Sequence, residues 1–123
     1  MLAGLIRDRP AAEDPLTAIC AAVTTGLVTI LPADHAALLE RLRLIRETPA
    51  LRARQADNQQ STVTLFADAL ATRTETPAFA LRVLAGAALA ALTAALERWA
   101  DGDGEEDLVA VVEEAFAVLR SGA

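Results

Sequence analysis

Residues 83–96 read VLAGAALAALTAAL, fourteen consecutive positions without a charge. This run constrains the fold more than any other feature. Ala and Leu are the strongest helix formers, and nothing in the run alternates with period two, so it predicts a helix. On a helix over 77–99, Arg82, Gly86, Ala90, Thr93 and Glu97 form one narrow stripe. The remaining positions, among them Leu81, Leu84, Leu89, Leu92, Leu96 and Trp99, are apolar. A helix apolar nearly all round must be covered on two sides. The uncharged run is shorter than the roughly 20 residues that span a bilayer, and Arg82, Glu97 and Arg98 close it off. It therefore reads as a buried helix of a soluble protein.

The same bias pervades the chain. Apolar residues make up 54%, aromatics only 3%, Tyr is absent and mean hydropathy is +0.34. Strand-favouring residues are scarce, which predicts an all-α fold. So apolar a chain can bury ample surface, which excludes disorder as its main state. At 12.9 kDa the folded surface should be about 6,300 Å² against about 18,700 Å² unfolded, so a real core forms, but a monomer this small cannot hide all of the apolar excess. A buried partner surface is therefore expected. It falls on 77–99 and on 105–120, where Glu106, Glu113, Glu114 and Arg120 hold only one polar side. The residues expected at this partner surface are Leu89, Leu92, Leu96, Trp99, Val109, Val112 and Phe116. The alternative is a central helix buried wholly within one subunit.

Capping signals divide the chain. Asp14-Pro15, Thr48-Pro49 and Thr76-Pro77 each place a capping residue before a proline suited to the first helical position. Asp34 after Pro32 marks another start, and Asp103 with Glu106 three residues on forms a near capping box after the turn Asp101-Gly102-Asp103-Gly104. Five helices follow, at about 15–31, 34–47, 49–73, 77–99 and 105–120, with residues 1–9 readable as the tail of an earlier helix. Short linkers imply packed antiparallel neighbours, and the 123 residues form a single helical domain.

Charge and cysteine content exclude several functions. Net charge is −6 and every basic residue is Arg; residues 1–54 hold seven Arg and six acids, residues 55–123 four Arg and eleven acids. Such a chain is not a nucleic-acid binder by itself. Cys20 is the single cysteine, so no intrachain disulfide forms and nothing points to secretion. The apolar run before Arg7 is too short for a signal peptide. A cytoplasmic location is expected, with no membrane contact.

Two junctions carry a resemblance. The first is Arg46-Glu47-Thr48-Pro49-Ala50-Leu51-Arg52-Ala53-Arg54. The second is Leu96-Glu97-Arg98-Trp99-Ala100, followed by the acidic glycine turn and Leu108 to Leu119. With the order and lengths of the helices over almost the whole chain, they make it resemble the C-terminal regulatory domain of TetR-type transcriptional repressors. The resemblance implies an effector-binding and dimerisation domain. It also implies that 77–99 and 105–120 pair with their copies in a four-helix interface. The family's N-terminal helix-turn-helix domain has no match in these residues, so operator DNA is expected to be read by a domain missing from this chain.

The candidate effector site follows from both arguments. On helix 49–73, Leu51, Gln55, Gln59, Thr62, Phe66 and Leu70 share one face, on which Gln55, Gln59 and Thr62 are polar. Polar groups turned inward need partners, which a ligand cavity can supply; alternatively, the N-terminal half of this helix leaves the core for water. Helix 15–31 carries Thr17, Cys20 and Thr24 along one edge, and the resemblance implies that this helix lines the effector cavity. The expected ligand-binding residues are Thr17, Cys20, Thr24, Gln59, Thr62 and Phe66, around a small apolar effector between helices 15–31, 49–73 and 77–99.

Other constellations are weaker. Cys20 reads as a small buried hydrophobe, and His35 as a surface or cap residue. Arg41, Arg43, Arg46, Arg52 and Arg54 read as a solvated or interdomain face, with Arg43 and Glu47 a helical ion pair. The acids from Asp101 to Asp107 lack the rest of a calcium loop and suit a helix N-terminus. No catalytic residue, metal site or cofactor is expected, so the chain is not read as an enzyme. The rival reading is a stand-alone helical homodimer acting as a scaffold or adaptor.

Overall fold

The computed structural model describes residues 2–121, which are helical and turn structure with no strand among them. Helix α1 covers Leu2–Arg7, α2 Pro15–Glu47, α3 Pro49–Ala71, α4 Ala78–Asp101 and α5 Leu108–Ser121. The expected all-α bundle is thus observed. The expected helices 15–31 and 34–47 are both present, run together as α2 across a sharp kink. Asp34 leaves helical geometry at φ −116° and ψ 16°, and Pro15–Thr29 and Ala33–Glu47 lie at 113° to each other. The bend lies just after Pro32, which has no amide hydrogen to give to the helical ladder.

The helix ends test the capping arguments one by one. Asp14 caps α2: its carboxylate accepts from the Thr17 amide at 2.9 Å and from the Thr17 hydroxyl at 2.8 Å. Thr48 is the N-cap of α3 but makes no side-chain capping bond, and α4 starts behind Pro77 while Thr76 pairs with Thr74 instead. The capping box at Asp103 does not form. Asp103 and Gly104 take φ of 59° and 71°, and α5 begins only at Leu108, behind Asp107, whose carboxylate accepts from the Val109 amide at 3.2 Å. An aspartate directly before the apolar run Leu108–Val112 is the stronger start signal, because the cap must sit next to the first buried turn.

α4 is the centre of the bundle and touches α2, α3 and α5, while α1 packs on α2 and α3. Its buried line is Leu81, Ala85, Ala88, Ala91, Ala95 and Trp99. The alanines let neighbouring helices approach closely, and larger side chains from around it fill the space: Ile6, Ile19, Val23, Phe66, Leu70, Leu108, Val112 and Phe116. Arg82, Glu97 and Arg98 do not stop this helix. At 24 residues it is long and apolar enough to cross a membrane, although here it packs among three other helices.

The packing of the single chain places the residues expected at a partner surface as follows. Trp99, Val112 and Phe116 are 0% exposed in the single chain, and Leu89, Leu92 and Leu96 are half-buried against its core. Val109 is half-buried on α5. The three fully buried residues are thus used inside the bundle and offer nothing to a partner. On α4 and α5 the large apolar side chains left uncovered are Phe79 at 81%, Val83 at 55% and Val118 at 50% exposure, while Val28, Leu44 and Leu65 are exposed on α2 and α3. The chain exposes 7167 Å², more than the about 6,300 Å² of a compact monomer of this mass.

Candidate functional site

Residues one helical turn apart share a face, and three such faces converge at one end of the bundle. The distal half of α2 presents Leu42, Ile45 and Arg46. α3 presents Arg52, Gln55, Ala56 and Gln59. α4 presents Thr93, Leu96, Glu97 and Ala100. Between them lies an open groove of about 240 Å³. Its walls mix Leu42, Ile45, Ala56, Leu96 and Ala100 with polar groups at Gln55, Gln59 and Thr93 and charges at Arg46, Arg52 and Glu97. An apolar cleft with a few placed polar groups is the usual form of a small-molecule site.

The groove exists because α3 behaves differently along its length. Its C-terminal half buries Phe66, Ala69 and Leu70, whereas nearly every residue from Pro49 to Ser61 is exposed. The polar half departs from the core, and the bent α2 passes beside it without filling the gap.

The sequence-derived site residues are not gathered in one place. Gln59 lines the groove and is half-buried. Phe66 is fully buried in the core. The Thr62 hydroxyl donates to the Asn58 carbonyl at 3.2 Å, and the Thr24 hydroxyl to the Ala21 carbonyl at 3.1 Å, both within their own helices. Thr17 serves the α2 cap and accepts from Arg120 of α5 at 3.4 Å. Cys20 is buried, and that burial pushes its thiol above the usual range, so it is a poor nucleophile. The bend at Asp34 explains the mismatch: it is the distal half of α2, not the proximal half with Thr17, Cys20 and Thr24, that reaches the groove.

The rim of the groove is tied to the acidic turn between α4 and α5. Arg46 donates to Asp101 at 2.6 Å and to the Glu97 carbonyl at 3.5 Å, and Arg43 pairs with Asp103 instead of Glu47. His35 Nε2 donates to the Gly104 carbonyl at 2.9 Å, its ring edge-on to Trp99 at 5.0 Å between centroids. Trp99 Nε1 in turn donates to the Glu106 carbonyl at 3.0 Å. Arg98 holds Glu106 at 2.7 Å and Glu114 at 2.9 Å, which draws the Glu106 carboxyl below its ordinary range.

Asp101 and Asp103 of this turn therefore latch the distal half of α2, and Glu106 is held by Arg98 of α4. Only Asp107 takes the expected helix-N-terminal role, accepting from the Val109 amide, while Asp101, Asp103 and Glu106 bind arginines. Sequence reading missed this latch because its partners lie 55 to 69 positions apart. Among the described residues no group of three or more His, Cys, Asp or Glu is placed to hold a metal ion.

Comparison with known families gives a match over residues 13–123 to the model described as the MftR C-terminal domain, one of the TetR C-terminal domain models. No curated protein and no solved structure matches the chain.

Proposed function

Because the chain belongs to the MftR C-terminal domain family, a branch of the TetR-type regulatory domains, we propose that it is the effector-binding and dimerising part of a transcriptional repressor. The observation that carries this reading is the groove of about 240 Å³ at the meeting of α2, α3 and α4. One of its walls is formed by the same Arg46 that holds the α4–α5 turn. A small effector seated there meets the distal half of α2 and the end of α4 together. It would therefore bias how these two elements sit against each other, which is the differential contact that a ligand-driven switch requires.

Operator DNA is read by a separate helix-turn-helix domain, and the regulator works in the cytoplasm, as the family implies. The groove favours this reading over that of a scaffold without a ligand.

Dimerisation uses α4 and α5, but through the side chains that the single chain leaves open, Phe79, Val83 and Val118. Sedimentation equilibrium at micromolar concentration is expected to show a dimer, and Val83→Glu a folded monomer. A monomeric wild type overturns the interface.

For the effector, thermal shift with small amphipathic compounds is expected to find a stabilising ligand. At about 100 times its Kd a ligand adds roughly 2.7 kcal/mol. Ala56→Trp, which fills the groove from an exposed helix position, should abolish the response. A full response in Ala56→Trp would place the site elsewhere.

A further inference from the structure

The groove lining lacks the acidic excess of the whole chain. The protein has a net charge of −6, yet the groove is lined by two guanidinium groups against one carboxylate, Arg46 and Arg52 against Glu97. The two arginines are not equivalent. Arg46 is engaged by Asp101 at 2.6 Å and by the Glu97 carbonyl. Arg52 makes no ion pair and no side-chain hydrogen bond among the described residues, and it stands on the α3 wall in line with Gln55 and Gln59. Across from it lie Leu42, Ile45 and Leu96. A volume of about 240 Å³ corresponds to about eight waters at about 30 Å³ each. That is room for a ring with a short chain.

We infer that the groove selects a small amphipathic monocarboxylate, with its acid group on Arg52 and its apolar body on Leu42, Ile45 and Leu96. A planar guanidinium matches a carboxylate in two parallel hydrogen bonds. Gln55 and Gln59 lie along the same wall as Arg52 and supply amide donors next to it. A single unengaged arginine balances a single charge. Glu97 on the facing wall disfavours a second one, which selects a carboxylate over a dianionic phosphate. The inference rests on the groove being the effector site, as proposed above.

Isothermal titration with 4-phenylbutyrate, 4-phenylbutyramide and 4-phenylbutylamine tests it, since the three differ only in the head group. The acid is expected to bind at least about tenfold tighter than either of the others. Arg52→Gln should bring the acid down to the level of the amide, and Glu97→Gln should tighten the acid further. Arg54→Gln, on the same helix but outside the groove, should change nothing. Equal binding of acid and amide, or an unchanged acid affinity in Arg52→Gln, overturns the carboxylate assignment while the groove stands as a site for neutral ligands. If none of the three binds, the assignment and the groove reading fall together.

Discussion

The two halves of α3 show how one helix can serve stability at one end and recognition at the other. From Phe66 to Leu70 it is part of the core, locked between α1, α2 and α4. From Arg52 to Gln59 it is polar and exposed, and it stands off from its neighbours by the width of the groove. The same backbone geometry runs through both halves. What differs is the side chain offered to the core every third or fourth position, apolar at one end and Gln or Arg at the other. A core-facing position that turns polar costs burial and opens space, and that space is where a ligand can enter.

The sharpest way to break this comparison is to truncate one residue in each half. Phe66→Ala removes a fully buried ring and should cost about 3–5 kcal/mol in denaturant unfolding. Gln59→Ala, seven positions earlier, should stay within about 0.5 kcal/mol of wild type. Equal losses would mean that the groove half is packed after all.

Next in size is Gly104→Ala at the latch. Gly104 has φ 71°, and an added Cβ would lie 3.1 Å from His35 Cε1 and 3.2 Å from Trp99 Cζ2. Left-handed backbone alone costs roughly 1–2 kcal/mol for an ordinary residue, and these contacts add to it, so Tm should fall measurably.

Asp14→Ala removes the α2 cap and should cost about 1 kcal/mol. Arg43→Ala and Arg46→Ala break solvent-exposed pairs of the latch, and each should cost less than about 1 kcal/mol, an effect that shrinks further in salt.

The pH dependence is smaller still, and its sign is fixed. The Thr17 amide lowers the Asp14 carboxyl, and Arg98 lowers that of Glu106. Both carboxyls are lowered by folding, so their stabilisation is complete above the ordinary carboxylate range. It is lost as pH falls through the lowered values, which places the loss below about pH 4. Acid titration of unfolding should show this loss, and Asp14→Ala should flatten part of it.

Helix positions were legible in the sequence wherever a cap stood directly against an apolar run, as at Asp14. They were misread by a few residues where acids clustered, because Asp101, Asp103 and Glu106 look like capping residues and in fact bind arginines. The central place of the 83–96 run was legible as double burial, but not which bodies bury it. Its alanines fit α2, α3 and α5 of the same chain as well as they would fit a partner.

Of the site residues, Gln59 was found from its polar interruption of an apolar face. Thr17, Cys20 and Thr24 were placed in the cavity because the resemblance pointed to their helix. The direction of the distal half of α2 depends on a bend at Asp34, and periodicity carries no trace of such an angle. The pairing of His35 and Arg43 with a turn more than fifty residues away likewise leaves no local mark.

The central claim is that the effector sits on the distal half of α2, on α3 and on α4. Backbone amide shifts recorded during titration with 4-phenylbutyrate test it most directly. Changes concentrated at Ile45, Gln55, Gln59 and Leu96 are expected, with Thr17, Cys20 and Thr24 unmoved. Changes concentrated at Thr17, Cys20 and Thr24 instead would place the ligand on the proximal half of α2 and contradict the account.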